Sequence, residues 1–326
     1  MIKVLDHINN AHLLEYSSFE NLSKEDIIKL SYSVLSRFNI DYLSMSNLYQ
    51  FENKFYDWVL TYIVGKKLPV SINMIRGDIL EKYLLNEIKS FDDVEKLKEV
   101  AVIDFEKRLE ENKENIKPYD ESELESAKDF IRNTLHLNYN FFRDDKRQFF
   151  NQGLSVKSSI KGSINIYGIV DSLVLLNTGK EKSDGNKDGD KIIGCVELKS
   201  TERIPKEPIE NHLRQLAFYL YCTGIDIGYL YYVGSSKYMK KGSIYMRIFA
   251  FKREDLVNYI ETYLENMIYK MTKFLMKFKN KNEIIDIVIP QYINFFFDKN
   301  YRDFYGEIFD FKLPNVSYVS STEFSV

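Results

Sequence analysis

Ile169-Val170-Asp171 and Val196-Glu197-Leu198-Lys199 are the stretches on which the reading of this chain turns. Glu197 and Lys199 sit in an apolar run that begins Ile192-Ile193-Gly194-Cys195. Residues two apart on a strand face the same side, so a carboxylate and an ammonium share one site. Asp171 closes another apolar run, Ile164-Asn165-Ile166-Tyr167-Gly168-Ile169-Val170. The two runs read as neighbouring antiparallel strands joined by the polar stretch from Asn177 to Lys191, which sets Asp171 beside Glu197. The three residue types suit one chemistry. Two carboxylates hold Mg²⁺ or Mn²⁺ with waters retained, and the metal lowers the pKa of a water. Lys199 then offsets negative charge building on a phosphorus centre. Taken alone, the tripeptide also describes a solvated ion pair on a strand face.

The segment that follows narrows the choice. After Ser200-Thr201 and a polar loop with Pro205 and Pro208 comes Ile209-Glu210-Asn211-His212-Leu213-Arg214-Gln215-Leu216-Ala217-Phe218-Tyr219-Leu220-Tyr221, which has helical periodicity. Gln215 and Tyr219 lie four apart, on one helical face. With these residues in order, the chain resembles the PD-(D/E)xK nuclease superfamily and, within it, the RecB-like branch. That branch is recognised by a G-x-x-D strand, an E-x-K strand and a helix carrying Q-x-x-x-Y. Here these are Gly168 to Asp171, Glu197 to Lys199, and Gln215 to Tyr219. His212, three residues before the glutamine, matches a further feature of the branch. Upstream, Ser44 to Tyr56 looks like the family's opening motif, with Ser46 expected as the N-cap of the helix that follows. Arg76-Gly77-Asp78-Ile79-Leu80-Glu81 resembles the family's Gly-x-x-x-His helix, with Glu81 at the place of the metal-binding histidine. A third oxygen ligand suits Mg²⁺ at least as well as imidazole does.

The resemblance implies an α/β fold, with a restriction-endonuclease-like mixed central sheet flanked by helices, a helical N-terminal region and a helical C-terminal segment. It implies a Mg²⁺- or Mn²⁺-dependent DNA nuclease, exonuclease or endonuclease, with an exonuclease preferring single strands or DNA ends as the leading expectation. Asp171, Glu197 and Glu81 would bind the metal, with the Leu198 carbonyl as a further ligand, and Lys199 would position the attacking water. Gln215 and Tyr219 would contact the substrate near the scissile phosphate, and His212, Ser46, Arg203 and Lys206 would help bind it. Members close to the CRISPR adaptation nucleases and the AddB-type nucleases hold an iron–sulfur cluster on four cysteines. This chain has only Cys195 and Cys222, neither at a matching place, so no cluster is expected. Phe295 to Tyr305 resembles the cysteine-bearing tail with every cysteine replaced. Packing of Phe295, Phe297, Tyr301 and Phe304 on the Phe51 to Trp58 helix is the expected substitute. The missing cluster also motivates an alternative: a catalytically silent nucleic-acid-binding or complex-assembly protein on the same fold. CRISPR adaptation, DNA repair and the replication of viruses or plasmids all stay open as settings.

Composition sets the bounds. The 326 residues are 44% hydrophobic and 29% charged, as in a soluble globular chain. No apolar run approaches the roughly 18 residues of a membrane span, and Met1 to Asn10 lacks the character of a signal peptide, so an intracellular, cytoplasmic protein is expected. Its expected partners are DNA, as a single strand or an end, and a second copy or protein complex, with no membrane. A net charge of −3 leaves phosphate contacts to a local basic patch. Lys157, Lys161, Arg203 and Lys206 are its candidates, and the Lys270 to Lys281 segment reads as an amphipathic helix on the core. The expected organisation is a helical appendage over 1–42 and a nuclease domain over 43–312, followed by a tail over 313–326. Within the nuclease domain, 43–150 is helical, 151–251 holds the sheet, and 252–312 carries the last helix and the degenerate cluster motif. Gly179 to Asp190 reads as a surface insertion.

Overall fold

Two β-sheets meet at Asp171 in the computed structural model, which describes residues 22–177, 191–235 and 244–287. The strands are β1 (Leu43–Ser44), β2 (Arg147–Phe150), β3 (Leu154–Ser158), β4 (Ile166–Val170), β5 (Ser172–Asn177), β6 (Lys191–Ser200), β7 (Ile227–Val233) and β8 (Met246–Lys252). A three-stranded sheet has the order β1-β4-β3, and a five-stranded sheet the order β2-β5-β6-β7-β8. Both are mixed. β1 runs parallel to β4 and β6 parallel to β7, while the remaining neighbours are antiparallel. The chain leaves one sheet at Val170 and enters the other at Ser172. The partner of the Glu197 strand is therefore β5, with Ser172 opposite Val196 and Leu173 opposite Cys195. The expected pairing of the Ile164–Val170 run with that strand is corrected: this run pairs with β1 and β3. A bend at Asp171 splits what reads in sequence as one long apolar strand.

The α-helices are α1 (Lys24–Lys29), α2 (Ser31–Ser36), α3 (Met45–Asn53), α4 (Phe55–Trp58), α5 (Ile72–Lys82), α6 (Val94–Glu111), α7 (Glu121–Arg143), α8 (Glu210–Thr223), α9 (Arg253–Leu275) and α10 (Lys281–Ile287). Local chemistry marks their starts. Asp120 and Glu123 form a reciprocal capping box at α7, and the Ser23 side chain accepts from the Asp26 N–H at α1. At α3 the cap is Ser44, whose Oγ accepts from the Asn47 N–H at 3.0 Å, so the expectation for Ser46 is corrected. Ser44 has the extended backbone a cap requires, whereas Ser46 already lies inside the first turn.

Alternation along β6 divides the interior. Cys195 faces a core shared with α8 and α9, while Val196 and Leu198 face a second core built by α5, α6 and α7. Helices thus cover both faces of the five-stranded sheet. Leu216 to Leu220 are buried without a break, because α8 lies between the strands and α9. Ile27, Ile28, Val34 and Leu35 of α1 and α2 join the same core, and Ser31 Oγ accepts from the Ile164 N–H at 2.8 Å. Residues 24–36 are thus packed into the core they were expected to flank. Met267, Met271 and Leu275 of α9 are buried while Lys270 and Lys273 are exposed, as the amphipathic reading requires, but the helix ends at Leu275 instead of running on to Lys281. Phe274 of α9 meets Phe51, Phe55 and Trp58 with ring centroids 5.3–6.4 Å apart. Phe295, Phe297, Tyr301 and Phe304, expected on that cluster, lie outside the described residues, as do the Gly179 to Asp190 stretch and the 313–326 tail. Among the described residues no helix is long and apolar enough to cross a membrane.

Candidate active site

Gly168 shows how the site is held. A Cβ built on it would lie 2.8 Å from the Phe218 ring and 3.0 Å from the Tyr219 ring, so only a bare backbone lets α8 press this closely on β4. Three residues later Asp171, 9% exposed, accepts a hydrogen bond from the Leu198 N–H through Oδ2 at 2.8 Å. That bond fixes the first carboxyl against the middle of the Glu197-Leu198-Lys199 segment. Glu197 is fully buried and the Lys199 ammonium forms an ion pair with its Oε1. Besides that ion pair, the Glu197 carboxyl meets only the carboxyl of Asp171, and no other N–H or hydroxyl donor among the described residues reaches it. Gly77 lies where α5 meets the end of β6, and a Cβ there would stand at ordinary contact distance, 3.6 Å, from Ser200 Oγ. The approach brings Glu81 within the field of Asp171, Lys199 and Asp78. Arg76 secures the same helix: its guanidinium lies 3.9 Å from the centroid of the Phe130 ring and pairs with Glu202 at 3.3 Å.

Burial sets the protonation of this cluster. It pushes Glu197 up to about 8, with Lys199 opposing and Asp171 reinforcing the rise. Burial and then the Asp171 charge push Glu81 up to about 7. Asp171 is raised by burial against the pull of Lys199 and the Leu198 N–H. Burial works against the Lys199 ammonium, but Glu197, Asp171 and Glu81 outweigh it and keep the group charged above the usual lysine range. Asp78 is raised by burial and countered by Arg108 and Lys199. In this desolvated space with insufficient positive charge Glu197 favours its protonated form at neutral pH and Glu81 is poised between its two forms, and a divalent cation is the other species that can neutralise them. The donor set is all oxygen, which fits Mg²⁺ or Mn²⁺. Among the described residues no three acid, imidazole or thiol groups are already gathered around one point at ligand distance. The fit therefore rests on charge, burial and donor type.

Gln215 and Tyr219 are joined, with Gln215 Nε2 donating to the Tyr219 hydroxyl at 2.7 Å. Tyr219 is 2% exposed, and burial together with the Glu197 and Asp171 charges raises its phenol far above the ordinary range. It is a neutral buried wall of the centre, and of the pair it is Gln215 that reaches a cavity. Gln215 lines a cavity of about 290 Å³ that also contains Ser46 and Asn211. Ser46 is thus brought to Gln215, though not as a cap. His212 Nδ1 lies 3.0 Å from the Tyr232 hydroxyl, which also accepts from the Ile209 N–H at 2.9 Å. The hydroxyl proton then goes to Nδ1, and burial with the Lys199 charge lowers the imidazole to about 4, leaving it neutral. Arg203 and Lys206 are exposed, and Arg203 lines a different cavity with Glu121, Glu125, Asp129 and Glu202. The basic patch proposed from sequence is dispersed. Lys161 pairs with Glu265 at 2.8 Å, and the Lys157 ammonium lies 5.4 Å from the Tyr167 ring centroid.

Asp78 and Arg108 belong to the electrostatics of the centre and were not singled out from sequence. Asp78 carried a signal, being three residues before Glu81 and so on nearly the same helical face. Arg108 carried none, because only the packing of α6 against α5 brings it near.

No family model matches the chain, and no curated protein matches it. Among solved structures, one described as "Crystal structure of SSO0001" is similar at 13% identity over 67% of this chain and 87% of that chain, with a TM-score of 0.28. A likeness that weak assigns neither fold nor activity.

Proposed function

We propose that this chain is a metal-dependent phosphodiesterase of the PD-(D/E)xK superfamily, RecB-like branch, that cleaves DNA as an exonuclease on single strands or ends. The observation that carries the reading is the convergence of Asp171, Glu197, Lys199 and Glu81 from the bend between β4 and β5, the strand β6 and the helix α5 into one desolvated cluster, with the Leu198 N–H bonded to Asp171. A structural role gives no reason to bury acids at raised pKa beside a charged lysine, since such a cluster opposes folding. Asp171, Glu197 and Glu81 would hold Mg²⁺ or Mn²⁺. Bound there, the ion would supply Lewis-acid polarisation of a phosphoryl oxygen and activation of a water. Lys199 supplies positive charge for the phosphoryl oxygens as they gain negative charge. Tyr219 excludes water from the inner side and fixes Gln215 by accepting its N–H. Neutral His212 holds the start of α8 through Tyr232 and takes no part in proton transfer.

The Lys199–Glu197 ion pair favours a second reading, a catalytically silent nucleic-acid-binding or assembly protein, because the ammonium occupies a carboxylate the metal would need. One assay separates the two. The full chain is incubated with Mn²⁺ and 5′- or 3′-labelled single-stranded, duplex and circular DNA. The nuclease reading expects shortening of linear single strands that EDTA stops. Intact substrates, with DNA binding that persists in EDTA, would establish the second reading.

A further inference from the structure

The cavity at Gln215 has a chemistry of its own. It is about 290 Å³, near the lower end of small-molecule sites, which start at roughly 300 Å³. Three carboxamides line it: Gln50 from α3, and Asn211 and Gln215 from α8. Carboxamides present a donor and an acceptor side by side, the pattern that matches the hydrogen-bonding edge of a nucleobase. Gln50 Oε1 is buried without a hydrogen-bond partner, so the wall already holds an acceptor in want of an N–H donor. Tyr49 adds an aromatic surface, with the Lys54 ammonium 5.9 Å from its ring centroid, and Lys54 and Lys117 together outweigh the one acid of the lining, Asp57, leaving positive charge suited to a phosphodiester backbone. Tyr219 connects this cavity to the acidic centre, since it bonds Gln215 on one side and feels the charges of Glu197 and Asp171 on the other.

We infer that this cavity is a nucleobase subsite, which takes one unpaired base of a single strand whose neighbouring phosphate lies at the acidic centre. The position relative to a scissile phosphate rests on the nuclease reading; the capture of a base does not. A paired base has its edge occupied and its faces stacked, so the subsite selects unpaired strands. Gln50 and Asn211 contact the base edge, Tyr49 contacts its face, and Gln215 marks the passage to the centre.

The test uses the full chain in EDTA, with single-stranded oligonucleotides carrying 2-aminopurine at the 5′ end, at the 3′ end or inside, and a duplex control. Seating of the base changes the fluorescence of one single-stranded probe position and not of the duplex. Asn211→Ala and Tyr49→Ala each weaken binding of that probe by roughly tenfold. Asn211 is partly exposed, so its variant keeps the comparison usable if Tyr49→Ala does not fold, and a thermal melt identifies that case. Equal affinity of wild type and Asn211→Ala for every probe overturns the subsite. Binding of single strand and duplex alike, with no position-specific fluorescence change, also overturns it. Cleavage in Mn²⁺ is scored separately. Loss of probe binding in the variants of a wild type that cleaves nothing upholds the subsite and removes the nuclease. Unchanged probe binding with intact cleavage does the reverse.

Discussion

Two clefts, a larger one of about 750 Å³ at Glu121 and a smaller one of about 290 Å³ at Gln215, differ most in what lines them. Glu121, Glu125 and Asp129 recur every four residues along α7 and face Glu202, with Arg203 beside them. A polyanion entering there meets carboxylates. The smaller cleft sets carboxamides, a serine hydroxyl, Lys54 and Lys117 around Asp57, and it adjoins the acidic centre through Tyr219. Between these two, volume alone would choose the larger cleft. Charge and connection choose the smaller one, because a nucleic-acid strand needs neutral or positive walls everywhere except where a metal offsets the acid.

The strongest test of that contrast removes the cation of the centre. Lys199→Ala is expected to slow DNA cleavage by about 10²–10³-fold, while affinity for a single strand in EDTA stays within about twofold. Cleavage that survives the change would remove Lys199 from the chemistry. Next comes the contact that holds β4 against α8. Gly168→Ala puts a methyl group against the Phe218 and Tyr219 rings and should cost about 1–3 kcal/mol in a denaturant melt, with loss of activity as Tyr219 shifts. A variant as stable and active as wild type would show that this packing does not set the site.

A third test uses the raised carboxyls. Glu81, at about 7, and Glu197, at about 8, bind protons more tightly in the folded protein than in the unfolded chain. Their contribution to stability is full below their unfolded values and is lost as pH rises through about 7 and 8. A metal that competes with those protons should therefore raise the melting temperature more at about pH 8.5 than at about pH 6. Equal shifts at both pH values would mean that Mn²⁺ binds elsewhere. The smallest effect belongs to the larger cleft. Glu121→Gln should change stability by no more than about 0.5 kcal/mol and leave cleavage within about twofold. A loss of single-strand binding as large as that of Asn211→Ala would erase the distinction between the clefts.

How much was readable in advance varies from residue to residue. The alternation that puts Glu197 and Lys199 on one face, the glycine three before Asp171 and the four-residue step from Gln215 to Tyr219 are local periodicities, visible without a fold. The pairing partner of β6 was not visible. An apolar run continues through Asp171 on both sides, and its bend is imposed where the Leu198 N–H captures Asp171 Oδ2. The cap at α3 was misplaced for a related reason: Ser44 and Ser46 are equivalent in composition, and the backbone conformation at Ser44 decides between them. The basic patch failed because Lys157 and Lys161 interact with Tyr167 and Glu265, residues far from them in sequence or on another strand.

Sequence by itself determined the donor chemistry, since acids, lysine, glutamine and tyrosine at fixed spacings are properties of the chain. It also determined the α/β class, through apolar runs alternating with helical periodicity. Tertiary structure alone decided that Asp78 and Arg108 join the centre, that Tyr219 stands behind Gln215, and which cleft borders the acids. Those outcomes depend on how α5 and α8 seat on a sheet whose edge turns at Asp171. Such seating arises from close packing between residues distant in the chain, as at Gly168, which permits an approach that a Cβ would crowd.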